Sequence, residues 1–274
     1  MRRLLVATLA ATALIAGAGC GTTTAEPIGE VQLSAAQAMQ ETAKRAEEVT
    51  SYAADIVVDF KDPQNGTGNV KGTMLLQQKP ALASDINLSQ VTYAGQALPG
   101  GVRVILADEV AYVKLDLLKT LVGATKPWVR VDLKQLGDQA GVQQFLSQAQ
   151  QIDLKSSVAL LTASKDVKSV GSETVRGVQT THYSGTFPVA EALKLLPPES
   201  QATLNGQLSS IKDMKFDTWI DEAGLPRKIQ LNGAAEGGTF TAALLFTSFD
   251  QQLSIAAPPA DQVGELPKNM PVAE

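Results

Sequence analysis

Tyr52-Ala53-Ala54-Asp55-Ile56-Val57-Val58-Asp59-Phe60-Lys61 alternates residue by residue. In an extended chain Tyr52, Ala54, Ile56, Val58 and Phe60 point one way, and Ala53, Asp55, Val57, Asp59 and Lys61 the other. One apolar and one largely polar side define a half-buried strand of an antiparallel sheet. The residues before it follow a different period. Ser34-Ala35-Ala36-Gln37 has the form of a capping box, and Ala38, Met39, Thr42, Ala46 and Val49 recur at helical spacing. A helix is therefore expected from Ser34 to about Thr50, with a face of small residues suited to close packing on a sheet.

The alternation continues after the strand. Pro63-Gln64-Asn65-Gly66 reads as a turn, followed by Val70, Gly72, Met74 and Leu76 opposed by Asn69, Lys71, Thr73 and Gln77. A third strand follows Lys79-Pro80, with Leu82, Ile86 and Leu88 on its apolar side. Further strands are expected over 90–97, 102–107, 110–115 and 128–131, with a helical turn or apolar loop over 117–124. From Leu133 to about Ser164 the period lengthens again, which suggests two helices separated near Asp153 as cover for the aliphatic face.

The second half returns to strands over 167–175 and 178–187, joined at Arg176-Gly177, where glycine supplies the positive φ of a tight hairpin. Short helices are expected over 188–196 and 199–211, then strands over 214–221, 225–232 and 239–249, with residues 233–238 as a loop. The Pro-rich stretch 258–274 reads as a loosely held tail. The fold class is α+β: a curved antiparallel half-barrel of about 10–11 strands with helices on its concave face, one domain over 34–257.

Composition narrows the functions open to such a fold. Of 274 residues, 44% are hydrophobic and 5% aromatic, so the interior is aliphatic and ill suited to a sugar platform of stacked rings. The chain is acidic, at −5, and holds no Lys/Arg cluster, which argues against nucleic acid as a partner. A single cysteine excludes an internal disulfide, so the core must hold the fold.

That cysteine, Cys20, ends a segment with its own pattern. Arg2 and Arg3 precede an apolar run from Leu4 to Ile15, and small residues lead up to Cys20. This is the arrangement of a secretory signal peptide, too short for a permanent span. Removal of residues 1–19 leaves 255 residues with 21 basic and 28 acidic side chains, a charge of −7. The segment resembles the lipobox of bacterial lipoproteins, with Gly17 where an aliphatic residue usually stands. The resemblance implies that the Cys20 thiol receives a diacylglycerol and becomes the first residue of the mature chain, with 20–33 as a flexible tether. The other reading is a plain signal peptide that leaves Cys20 a free thiol.

Two hairpins carry a wider resemblance: Gly171-Ser172-Glu173-Thr174-Val175-Arg176-Gly177-Val178-Gln179-Thr180-Thr181-His182-Tyr183, and Phe216-Asp217-Thr218-Trp219-Ile220-Asp221-Glu222-Ala223-Gly224-Leu225-Pro226-Arg227-Lys228. With the early helix and meander, the chain resembles actinobacterial lipoproteins of the LppX/LprG type and, more distantly, the LolA and LolB carriers. These motifs are turns and not sites. What the resemblance implies is a half-barrel whose apolar face is only partly filled by helices, leaving a cavity for acyl chains.

Reading the residues alone leaves two outcomes open, a cavity of lipid size or a fully packed core. The candidate lining is Ile56, Val58, Phe60, Met74, Leu76, Leu82, Ile86, Phe216, Ile220, Ile229, Phe240, Leu244 and Phe246, each of which equally fits plain core. No catalytic residue, metal site or cofactor is assigned. His182 is the only histidine and reads as a surface or rim residue. Asp217 and Asp221 share a strand face as a glycosidase pair would, but Lys215 or Arg227 can pair with them. Trp219 lies on the same polar face, and Trp128 reads as a structural residue or as one at a cavity mouth. The expectation is a non-enzymatic, exported, monomeric lipoprotein. It would be anchored through Cys20 to the outer face of the cell membrane, where it binds the acyl chains of a lipid or glycolipid. A membrane transporter or envelope protein would be its partner. The alternative is a sensor or accessory lipoprotein that uses the scaffold for protein–protein interaction.

Overall fold

The structure is a computed structural model that describes residues 33–64, 66–121, 123–133, 154–208, 210–235 and 237–265. In chain order the strands are β1 (Ser51–Asp62), β2 (Gly66–Gln77), β3 (Ala83–Tyr93), β4 (Gln96–Ala97), β5 (Val102–Ala107), β6 (Val110–Leu115) and β7 (Trp128–Asp132). The second series is β8 (Lys168–Val175), β9 (Val178–Pro188), β10 (Asp213–Asp221), β11 (Pro226–Ala235), β12 (Gly238–Phe249) and β13 (Val263–Glu265). The helices are α1 (Ala35–Glu48), α2 (Leu118–Leu121), α3 (Leu154–Leu161), α4 (Val189–Leu193) and α5 (Pro198–Leu208). The fold is α+β, an open curved sheet with a few helices, in the half-barrel form expected.

The strands form one 13-stranded sheet in the order β13-β7-β6-β5-β3-β2-β1-β12-β11-β10-β9-β8, with β4 on β3. Every pairing is antiparallel except β13 on β7. The expected count fell short because two short pieces, β4 and β13, escape a period-two test. The stretch read as a separate strand over 90–97 is the end of β3, a turn at Ala94 and Gly95 with both residues at positive φ, and β4. At Arg176-Gly177 both residues, and not glycine alone, take positive φ.

α1 begins as its sequence requires. Gln37 N–H donates to Ser34 Oγ, and Ser34 N–H donates to Gln37 Oε1, which completes the capping box. Its buried residues are Ala38, Met39, Thr42 and Ala46. Of these, Ala38, Met39 and Ala46 join Leu154, Val158 and Leu161 of α3 and the strand residues Tyr52, Ala54, Met74, Leu76, Phe216, Ile229 and Phe246 in one core cluster. Of the two helices expected over 133–164, the second is α3; the first lies outside the described residues.

The expected loose tail is held as far as Glu265. Val263 pairs with Trp128, and Ile255 and Val263 pack on Ile105, Ala107 and Trp128, on the sheet face opposite the main cluster. Lys126 Nζ donates to the Asp261 carbonyl at 2.9 Å. Trp128 is 5% exposed in this second cluster, so it is structural and away from any cavity mouth. A short apolar segment between prolines lacks periodicity, which is why this attachment does not show in the pattern. Among the described residues no helix is long and apolar enough to cross a membrane.

Candidate functional site

The register of β1 lays the helix-covered face out in rungs. Tyr52 faces Leu76 on β2 and Phe249 on β12; Ala54 faces Met74 and Phe246; Ile56 faces Gly72 and Leu244; Val58 faces Val70 and Ala242; Phe60 faces Gly68 and Phe240. On the far side of β12, Leu244 meets Ile229 and Ala242 meets Leu231. The first two rungs are filled: Tyr52, Ala54, Met74, Leu76 and Phe246 are all 3% exposed or less, and the Tyr52 and Phe246 rings meet edge to face at 5.6 Å.

The described residues leave the next two rungs unfilled. An apolar cleft of about 220 Å³ is lined by Ile56 and Val58 of β1, Ile229 and Leu231 of β11, Ala242, Ala243 and Leu244 of β12, and Ser157 and Leu160 of α3. The cause is local. α3 ends at Leu161, and small Ala242 stands where a larger side chain would reach Val58. Among the described residues nothing titratable lines the cleft, and what they offer is burial.

The thirteen lining candidates therefore separate. Ile56, Val58, Ile229 and Leu244 line the cleft. Phe60 and Phe240 stand on the rung beyond it. Met74, Leu76, Phe216, Ile220 and Phe246 are buried core, with Leu82 and Ile86 half-buried against that core. Leu231, Ala242, Ala243, Ser157 and Leu160 were not among the candidates. The alternation of Phe240, Ala242 and Leu244 with Ile229 and Leu231 holds the signal for two of them; where α3 lies is not written in any period. Cys20 lies outside the described residues.

A polar cluster occupies the opposite face. His182 of β9 lies between two carboxylates, with Nδ1 3.0 Å from Glu173 Oε1 of β8 and Nε2 3.0 Å from Asp217 Oδ1 of β10. A carboxylate only accepts, so both contacts are hydrogen bonds together when the ring is doubly protonated. Trp219 stacks on the imidazole at 4.3 Å, its Nε1–H donates to Glu173 Oε2 at 2.8 Å, and Lys228 Nζ sits 4.1 Å above its ring. The Trp219 N–H, followed by His182, holds the Glu173 carboxyl below the usual carboxylate range. At the hairpin tip Arg176 pairs with Asp55 of β1. Four strand spacings of about 4.8 Å separate β9 from β1 in a flat sheet, beyond an arginine's reach. The β8–β9 tip therefore folds back over this face.

His182, read as a surface or rim residue, stands on this polar face with its side chain 12% exposed, enclosed by Glu173, Asp217 and Trp219. The pairing assigned to the aspartates holds for Asp221 and not for Asp217. Asp221 accepts from Arg227 Nε at 2.6 Å, while Asp217 engages His182, so the two carboxylates serve separate contacts. No nucleophile stands beside His182 among its hydrogen-bond partners, and the cluster fastens strands β8, β9 and β10 together.

No family model matches the chain. An uncharacterised 31.2 kDa Streptomyces griseus protein is 28% identical over 214 residues, which cover 71% of this chain and 70% of that one. A candidate lipoprotein of Streptomyces coelicolor is 30% identical over 133 residues, 48% of this chain and 39% of that one. Among solved structures, the Mycobacterium tuberculosis lipoprotein LppX aligns over 81% of this chain and 98% of its own, at 15% identity and TM-score 0.46. LprF of Mycobacterium bovis aligns over 82% and 96%, at 13% identity and TM-score 0.47. A LolA superfamily protein of Nitrosomonas europaea aligns over 84% and 97%, at 8% identity and TM-score 0.30.

Proposed function

We propose that the protein is a membrane-anchored lipoprotein, lipidated at Cys20 on the outer face of the cell membrane, that takes the acyl chains of a lipid or glycolipid into the cleft between β1, β11, β12 and α3. The observation that supports this reading is the cleft itself, aliphatic on three strands and one helix and left unfilled by the described residues beside a packed core. Each methylene moved from water into it gains about 0.8 kcal/mol, so a short length of chain suffices for binding without any bond-making step. A tether of the length of residues 20–33 keeps the domain at high effective concentration near donor lipid. In this role it acts as a carrier or chaperone, as a monomer, with a transporter or envelope protein to receive the lipid.

Native mass spectrometry of the mature chain, expressed without lipidation, tests the reading. Adducts of lipid mass that exchange for added fatty acid are expected. If no lipid co-purifies and a fluorescent fatty acid fails to bind at micromolar concentration, the proposal is wrong. Cross-linking that yields a stable protein complex with an empty cleft would then favour the accessory role.

A further inference from the structure

We propose that Phe60 and Phe240 form the gate of the apolar cleft, two rings parted by glycines so that one linear acyl chain passes between them. This rests on the acyl-binding reading above and adds how the chain gets in and what shape of lipid is admitted.

The two phenylalanines are direct cross-strand partners on β1 and β12, one rung beyond Val58 and Ala242 of the cleft. Directly opposed side chains on one sheet face lie about 5 Å apart at Cβ, and aromatic pairs in that position ordinarily pack on each other. These do not. The Phe60 ring leans over β2, where a Cβ on Gly68 would come 1.9 Å from its Cζ; the Phe240 ring leans over β11, where a Cβ on Gly233 would come 2.3 Å from its Cε1. The rung therefore runs Gly233, Phe240, Phe60, Gly68, Tyr93, and Phe60 meets the Tyr93 ring beyond Gly68, at 6.0 Å and 35°. The rings fall away from each other, and the lane between their roots leads straight to Val58 and Ala242.

Neither glycine sits at a φ that disfavours other residues, since no positive φ is found at Gly68 or Gly233. What each supplies is the space of a missing side chain. The lane is narrowest at its floor, where the two Cβ atoms stand about 5 Å apart, and opens upward because each ring lies over the neighbouring strand. The far end of the cleft is stopped by the packed rungs of Tyr52 and Ala54, so the aromatic rung is the side from which a chain enters. The cleft, at about 220 Å³, also falls below the roughly 300 Å³ lower bound for drug-sized ligands, as fits the end of one chain.

The test is stopped-flow uptake and release of cis-parinaric acid by the full-length chain, with dehydroergosterol as the ring-bearing probe. In the double variant Gly68→Ala/Gly233→Ala each new Cβ drives its ring off the glycine and into the lane. Association and dissociation are both expected to slow about tenfold with Kd changed less than about threefold, the mark of a gate. Adding both Phe60→Ala and Phe240→Ala to the double variant should restore the rate. Phe60→Ala/Phe240→Ala alone should speed exchange of cis-parinaric acid, while dehydroergosterol, too large for the cleft, stays excluded as it is from the wild type. Unchanged rates in a folded double variant or failure of the rescue would each overturn the gate while leaving acyl binding intact, and sterol binding by the wild type would overturn the limit to one linear chain. Failure of the wild type to bind parinaric acid at all overturns both readings.

Discussion

Replacing Ala242 with leucine separates an open cleft from a filled one, because the two cases give opposite signs. Leucine adds three carbons to the cleft floor beside Val58 and Leu231. A space of about 220 Å³ takes them without displacing a neighbour. At about 0.8 kcal/mol per buried carbon the substitution stabilises the chain by up to ~2.4 kcal/mol. In a chain of this length each kcal/mol moves Tm by roughly 2–4 °C, so Ala242→Leu is expected to melt about 5–10 °C higher. The same carbons take the place of about three methylenes of a bound chain, which weakens acyl binding by a similar ~2.4 kcal/mol, a rise in Kd of about sixtyfold. Calorimetric melting and titration with cis-parinaric acid read the two effects on one preparation. A fall in Tm that corresponds to the roughly 1–3 kcal/mol of overpacking would show a site already full, and an unchanged Kd would show that the chain binds elsewhere; either result refutes the reasoning.

Phe216 is fully buried with its ring 6.0 Å from Phe187, so Phe216→Ala should cost about 3–5 kcal/mol in urea unfolding. Glu173→Ala removes the acceptor of the Trp219 N–H and one anchor of His182; Trp219 emission should shift to the red and amide exchange in the β8–β9 tip should rise, with β1 and β2 unaffected. Asp166 is held below its ordinary value of 3.8, first by the Thr186 backbone N–H and then by the Ser164 hydroxyl. A depressed carboxyl contributes stability above the unfolded value that is lost as the pH falls through the folded one. The acid limb of the urea midpoint below about pH 4 should therefore be shallower in Asp166→Asn than in the wild type, and parallel limbs would exclude this role.

Alternation carries most of the fold. Tyr52 to Phe60, Val70 to Leu76 and Phe240 to Phe246 each present the face they occupy, because a two-residue period survives wherever one side of a sheet is dry. The α1 cap is equally plain, since both halves of its box lie within four residues. Strand order is different: that β1 pairs with β12 follows from no local feature. Gly233 shows the same limit on a smaller scale. As a residue type it reads as a loop, yet it lies inside β11 to make room for the Phe240 ring, and only the cross-strand partner reveals this. The cleft is legible in half. Ile56, Val58, Ile229 and Leu244 are on the correct face by period, but whether a face position is core or cleft depends on where α3 stops, and Phe216 and Leu244 look alike until that is known.

The pairing of β1 with β12 also governs how the site comes into being. Two local meanders, β1 to β7 and β8 to β12, meet at this single seam, where Thr50 N–H reaches the Asp250 carboxylate across 200 residues of chain. Such a closure carries a large loop entropy and comes slowly. Ile56 and Val58 stand on one side of it, Ala242 and Leu244 on the other, so neither meander owns the cleft and each holds half a wall. A molecule seated there bridges the two ends of the polypeptide and opposes their parting by mass action. Cargo, on this view, is also the last stitch in the fold: the loaded protein is sewn shut along the line where the empty one would first come open.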